Sequence, residues 1–424
     1  MQHVKKKAPR RARILVMTQH YRPEPNFITT EVAEALARES DVIVVTAHPN
    51  YPLGRFYSGR RFPRIEKSVE NGVVVWRVPF LPDHSLSIAK RSLSYLSFAV
   101  VASVVAPFVA GKPDTVWVYH GPFTTGLAAL FFKRVRGSRL VITCADLWPE
   151  SFTAAGVVQS SWIIDLATIY NRAVNRAADL IVCATRGTMR AFQDIGIPQE
   201  RLALIPVWIE GTRAVGQQRL QNFVEVPRIV YAGNLGPAQA LETVIRAAAI
   251  LREEVPALKF DIYGAGALEN SLRALAAQSD ATNVTFHGLV PTSEAFDASA
   301  SSLAQIVCLQ RSPLFRRTIP SKLFSAFAAS APILYGLEGE AADLAAQSGG
   351  GIAFDSDDPH SLVRAVKTLL SLPREERSQM RARLNKFFSD NFDPRKLVAK
   401  YESILTVHSA PVPGESRMAE SPVV

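Results

Sequence analysis

The chain has 424 residues, 48% of them in the apolar and aromatic set and 20% charged, which excludes a stapled mini-domain and wholesale disorder and leaves room for two domains with separate cores. Its formal net charge of +10 is concentrated at one end, where Lys5, Lys6, Lys7, Arg10, Arg11 and Arg13 precede the first apolar run. The rest is only mildly basic, which excludes a dedicated nucleic-acid binder, and Cys144, Cys183 and Cys308, odd in number and far apart in apolar runs, exclude a disulfide framework or a zinc site.

Residues 1–12 form a basic arm that lies on anionic headgroups or is a solvated tail. The arm leads into Ile14-Leu15-Val16-Met17 and then polar sequence, without the apolar core or cleavage site of a secretory signal, so a cytoplasmic protein is expected. Short β-branched runs then alternate with helical periodicity through residues 13–205: Ile14 to Thr18, Val42 to Thr46, Val73 to Val78, Thr115 to Tyr119, Leu140 to Cys144, Leu180 to Cys183 and Leu202 to Ile205. That is a Rossmann-like domain. Within it, Ser92 to Ala110 is uncharged and close to the ~20 residues that span a bilayer. Its four serines, Pro107 and the flanking strands argue instead for a domain helix whose exposed apolar face, with Lys90 and Arg91, touches the cytoplasmic face of the inner membrane; a wholly buried helix and a span are the alternatives.

Residues 206–227 are polar, aperiodic and bounded by prolines, as an interdomain linker is. The pattern restarts over residues 228–388 with strands at Ile229 to Ala232, Phe260 to Tyr263, Val284 to Phe286, Ala304 to Cys308, Pro332 to Tyr335 and Gly351 to Phe354. Residues 389–408 are a closing helix, and 409–424, rich in Ser and Pro, are a disordered tail. The fold class is α/β, two Rossmann-like doubly wound domains facing a shared cleft, into which strand carboxyl ends place ligand loops.

The second domain opens with a glycine turn carrying Gly233, Asn234 and Gly236, and a second turn holds Gly264 and Gly266. Such turns let a backbone approach a diphosphate at a helix N-terminus, or are plain connections. Arg316, Arg317, Ser321 and Lys322 surround the start of a helix over Leu323 to Ala329, which suits an anion, or else a solvated cationic face. In the first domain His120 and Asp146 end strands and are candidates for sugar contacts or proton handling, or are satisfied structural groups. Asp355-Ser-Asp357 resembles a metal signature but reads better as the cap of the next helix. No metal or cofactor is expected, and P-loop and zinc-protease motifs do not occur.

Seven segments carry a family resemblance: His20-Tyr-Arg-Pro-Glu-Pro25, Pro49-Asn-Tyr-Pro52, Asp146-Leu-Trp-Pro-Glu-Ser151, Tyr231-Ala-Gly-Asn-Leu-Gly236, Pro313-Leu-Phe-Arg316, Ile319-Pro-Ser-Lys322 and Gly339-Glu-Ala-Ala-Asp-Leu344. With them the chain resembles the family 4 retaining glycosyltransferases of GT-B fold, in the branch of colanic acid and O-antigen transferases that use N-acetylfucosamine or fucose donors. The resemblance implies metal-independent hexosyl-type transfer, with retention, from a UDP-linked sugar bound in the second domain to a lipid-linked saccharide at the first, in the synthesis of exopolysaccharide, capsule or O-antigen. It also implies donor contacts by Gly233, Asn234, Gly236, Gly264, Gly266, Arg316, Arg317, Ser321, Lys322 and Ser325, with His120, Asp146 and Lys322 in catalytic roles.

The chain departs from that family at the donor side. Ser325 stands where a ribose-binding Glu is usual, Arg317 where the preceding Glu is, Asn26-Phe27 where two glycines are, and Pro237 and Ala240 where a turn has its cation and last glycine. These losses motivate one alternative, a catalytically weak binding partner in a polysaccharide-assembly complex; a sugar-nucleotide epimerase of similar fold is a further alternative, against which the transferase motifs weigh.

Overall fold

The computed structural model describes residues 10–24, 27–51, 53–60, 63–83, 88–119, 123–145, 161–208, 226–313 and 315–407. The chain divides into two compact units, the first running to Pro206 and resuming at Arg395, the second comprising Val207–Pro394.

In the first unit an 8-stranded sheet has the order β3-β4-β2-β1-β5-β6-β7-β8. Its strands are β1 (Arg13–Met17), β2 (Asp41–Ala47), β3 (Glu66–Glu70), β4 (Val73–Val78), β5 (Thr115–Tyr119), β6 (Arg139–Cys144), β7 (Leu180–Cys183) and β8 (Leu202–Leu204). The sequence pattern anticipates all of these except β3. That strand reads Glu-Lys-Ser-Val-Glu and lies antiparallel to β4 at the sheet edge, so it carries no apolar run. Its available signal is Asn71-Gly72, a two-residue turn with φ of 47° and 84° that joins paired Glu70 and Val73, as a tight hairpin demands.

The helices of this unit are α1 (Phe27–Leu36), α2 (Ile88–Ala110), α3 (Gly126–Phe131) with a π-helical continuation over Phe132–Arg136, α4 (Ser161–Ala177) and α5 (Arg186–Asp194). Chain steps from β4 through β8 run in one direction across the sheet, so right-handed crossovers place α2 to α5 on one face. There Phe98, Ala102 and Ala106 of α2 join Leu15, Val116 and Ile142 in the core. In this fold α2 packs on the sheet through those side chains, although by length and composition it is also apolar enough to cross a membrane. On the other face Trp117 meets Tyr401 of the last helix, α13 (Pro394–Thr406), at 5.3 Å between ring centroids. The α12 helix (Arg374–Asn391) ends within the span read as one closing helix, so residues 389–391 belong to α12 and only α13 returns to the first unit.

The second unit holds a 6-stranded parallel sheet of order β11-β10-β9-β12-β13-β14, from β9 (Val226–Ala232), β10 (Lys259–Tyr263), β11 (Val284–Gly288), β12 (Ser302–Cys308), β13 (Ile333–Gly336) and β14 (Gly351–Ala353). Its covering helices are α6 (Leu241–Glu254), α7 (Glu269–Gln278), α8 (Thr292–Ser301), α9 (Ser321–Ala329), α10 (Glu340–Gln347), α11 (Pro359–Ser371) and α12. The presumed linker 206–227 is structured at both ends: Val207 packs on the second core, Trp208 is buried, and β9 begins at Val226. Each sheet reverses its winding once, between β1 and β5 and between β9 and β12, and loops at such points diverge to leave a crevice.

Candidate functional site

At the second reversal β9 runs into Gly233, whose φ is 148° and whose N–H donates to the Tyr263 carbonyl at 2.9 Å. Gly264, at φ 123°, donates to the Gly288 carbonyl at 2.7 Å. A Cβ on Gly264 would lie 1.9 Å from the Gly233 oxygen, and one on Gly266 would lie 2.5 Å from the Leu235 oxygen. Glycine at these two positions is therefore dictated by one turn stacking on the other. Gly233 differs, because its missing Cβ admits a side chain: a Cβ there would fall 2.1 Å from Lys322 Cε.

Beside the turns is a pocket of about 750 Å³. Gly233, Asn234, Gly264 and Ser325 line it, so four of the predicted donor residues meet on one cavity. The remaining walls come from α8, through Thr292, Phe296 and Asp297, and from Gln305 on β12. Gln305 is 1% exposed and its Oε1 has no hydrogen-bond partner among the described residues. A buried, unsatisfied amide oxygen at a pocket wall is an acceptor waiting for an N–H or O–H. Sequence inspection passes over it, since a glutamine inside Leu303-Ala-Gln-Ile-Val-Cys308 looks like tolerated polarity in a buried strand.

Lys322 occupies the second position of α9, which starts after Pro320 with no side-chain cap. Its ammonium donates to Gln239 Oε1 at 2.9 Å and lies 5.5 Å from the Tyr231 ring centroid. Tyr231 Oη in turn donates to the Asn234 carbonyl at 2.7 Å, tying the lysine's platform to the glycine turn. No carboxylate pairs with Lys322 among the described residues, and burial pushes its pKa down to about 8. Gln239 ends a 3₁₀ turn, Pro237–Gln239, in the segment where the family's cation is missing. Ala240 follows in the left-handed region at φ 48°, a conformation that glycine adopts without steric cost.

The other predicted cations stand differently. Arg316 bonds to Glu338 at 3.0 Å. Arg316, Arg317 and Ser321 are exposed, and none of them, nor Gly236 or Gly266, lines the pocket. In the Asp355 segment the cap of α11 is Asp358, which accepts from the His360 N–H at 2.9 Å, while Asp355 accepts from the Asp357 N–H at 3.0 Å. Among the described residues no three His, Cys, Asp or Glu side chains converge as metal ligands.

In the first unit the loops after β1 and β2 close on one buried carboxylate. Glu24 accepts from the Asn50 N–H (2.7 Å), Asn50 Nδ2 (3.0 Å) and the Tyr51 N–H (2.7 Å), and lies 3.2 Å from His20 Nδ1. Two sequence motifs, one around each loop, are thus a single hydrogen-bonded unit at the sheet's reversal point. His120 and Asp146 lie outside the described residues.

Two α/β units, each a largely parallel sheet reversed once, with glycine turns and a helix-borne lysine on the second, define the GT-B class of glycosyltransferase. Solved structures agree in fold: sucrose-phosphate synthase from Thermosynechococcus elongatus (TM-score 0.66, 15% identity, 93% of this chain and 98% of that one) and HepE of Anabaena in complex with UDP (TM-score 0.66, 13% identity, 93% and 99%). Residues 25–208 match the glycosyl transferase 4-like domain and residues 216–387 match the glycosyl transferases group 1. The chain is built from these two glycosyltransferase domains in that order. It is also 28% identical, over 390 residues, to the putative colanic acid biosynthesis glycosyl transferase WcaI of Escherichia coli K12, covering 85% of this chain and 93% of that one.

Proposed function

We propose that this protein transfers a hexosyl-type sugar, with retention, from a UDP-linked donor to a lipid-linked saccharide during assembly of a cell-surface polysaccharide. The observation that carries the reading is Lys322, a half-buried cation without a carboxylate partner among the described residues, set against Gly233 at the edge of the pocket. Charge develops on the nucleotide diphosphate as the glycosidic bond breaks, and an ammonium already desolvated there stabilises the transition state more than the ground state. The nucleoside occupies the pocket, with Gln305 and Ser325 facing its hydrogen-bonding edges. A UDP complex of the similar fold and a relative named for colanic acid biosynthesis support the donor and the polysaccharide role. His20, held by Glu24, and the segments bearing His120 and Asp146 serve the acceptor and the donor sugar.

Calorimetry with a panel of nucleoside diphosphates, followed by mass spectrometry of lipid-linked saccharide acceptors incubated with UDP-sugars, tests this. UDP binding with a mass gain of one sugar is expected. Absence of binding to any nucleoside diphosphate at millimolar concentration would give way to the non-catalytic partner, and conversion of the donor sugar without acceptor would give way to an epimerase.

A further inference from the structure

The helix layer of the first unit is apolar on both sides. The inner side of α2 packs on the sheet through Phe98, Ala102 and Ala106. Its outer side carries Leu93, Leu96, Val100, Val104 and Phe108, all exposed, with Val104 at 60% and Phe108 at 85%. At 100° per residue these five fall within an arc of about 120° and run about 22 Å along the helix. The stripe does not end with α2. The neighbouring α3, which packs against it, exposes Leu127 and Phe131, and the π-helical turn adds Val135. Next in the layer, α4 exposes Leu166 and Ile169. Scattered apolar side chains on a surface need no explanation, but three adjacent helices turning such residues outward on one layer make a patch that calls for a partner.

The charges around the patch are mostly of one sign. Lys90 and Arg91 stand at the start of α2 and Lys112 just beyond its end. Arg134 and Arg136 lie in the π-helical turn, and Arg172 and Arg176 in the second half of α4. None of these forms an ion pair with another described residue, and on the same helices the opposing carboxylate is Asp165. An apolar centre with a cationic rim has its complement in a surface that offers hydrocarbon below a plane of negative charge. A second copy meeting the patch face to face would bring its own rim against the same cations.

We infer that the outer face of α2, α3 and α4 seats on an anionic lipid bilayer, with the helices in the plane of the interface and the cations at the phosphate level. The inference stands on this face alone and is independent of the donor site. A core helix whose other side closes a sheet can lie in an interface without crossing it.

The test is co-sedimentation of the full chain with vesicles of phosphatidylglycerol and phosphatidylethanolamine, against vesicles of phosphatidylcholine alone. Two double variants, Val104→Ser with Phe108→Ser and Leu166→Ser with Ile169→Ser, change exposed positions, and their circular dichroism and thermal unfolding confirm that they fold. Partition onto the anionic vesicles is expected to fall about tenfold for each pair and to weaken at high salt, with little binding to phosphatidylcholine. Wild-type chain left in the supernatant with anionic vesicles would overturn the proposal. So would resistance to alkaline carbonate extraction, which would make α2 a span, or a concentration-dependent dimer abolished by the same substitutions, which would assign the face to a second copy. If only the α2 pair lost binding, the three-helix face would be rejected.

Discussion

Gly233 and Lys322 interlock: the lysine's Cε sits where a β-carbon on residue 233 would be, 2.1 Å from that position. Gly233 directly follows β9 and Lys322 lies in the first turn of α9, the helix that follows β12, and they meet because β9 and β12 are neighbours at the reversal of the sheet. Gly233→Ala is therefore expected to displace the lysine. The alanine also inherits a φ of 148°, which costs on the order of 1–3 kcal/mol of stability. Nucleotide affinity should fall as it does in Lys322→Ala, and the double variant should be no worse than either single one. Calorimetry on the three variants checks this; additive losses would show that the two positions act separately.

The lysine also sets a pH dependence. Burial holds its folded pKa at about 8, below the ordinary value of 10.5, so the folded protein carries an unfavourable charge at neutral pH. For a lysine depressed in this way, folding stability rises with pH between about 8 and 10.5, because the unfolded chain there binds the proton that the folded one has released. Binding runs the other way. A diphosphate needs the ammonium, so affinity should be flat up to about pH 8 and then fall by up to tenfold per pH unit. At pH 8.5 complex formation should take up protons, seen as a dependence of the calorimetric enthalpy on the buffer's ionisation heat. No proton uptake in wild type, or equal uptake in Lys322→Ala, would remove the lysine from the diphosphate.

Most strands were legible because a parallel sheet buried on both faces needs uninterrupted β-branched runs, and Ile14 to Val16 or Leu180 to Cys183 have no other reading. What could not be read was adjacency. Nothing local to Gly233 or to Lys322 says that their strands are neighbours, and the sequence pairs the lysine equally well with Arg316, which instead bonds to Glu338. Glu24 is a similar case, since its role as the acceptor for the Asn50 and Tyr51 amides depends on two loops meeting. Trp208 and Val207 were lost to the linker because two apolar residues beside a polar stretch have no period. Gln305 was missed because a pocket wall can be recognised only once α8, β12 and α9 are in place.

Ala240 gives a prediction about stability alone. Its φ of 48° and ψ of 33° are left-handed, where an L side chain costs roughly 1–2 kcal/mol. Ala240→Gly removes that cost and loses part of the gain to the greater freedom of the unfolded chain, so a net stabilisation of up to about 1 kcal/mol is expected. Denaturant unfolding read at the midpoint, with an unchanged slope, measures it. A fall in stability would mean that the alanine methyl packs usefully enough to outweigh its backbone strain.

Gln305 separates the cost of a binding site from its use. Among the described residues its Oε1 is buried without a partner, which costs about 1–3 kcal/mol, and the side chain faces the same cavity as Ser325 and Asp297. Gln305→Leu keeps a similar volume and removes the orphaned oxygen. The variant should unfold at higher denaturant concentration, by about 1 kcal/mol, while binding UDP roughly tenfold more weakly, because a hydrogen bond made only in the complex is lost. Gln305→Glu should also weaken binding, by burying a charge that a neutral base or ribose edge does not neutralise. The informative quantity is the opposition between the two readouts. Were Gln305→Leu destabilised and its UDP affinity unchanged, the amide would be an ordinary member of the core and the nucleoside would have to lie elsewhere in the pocket.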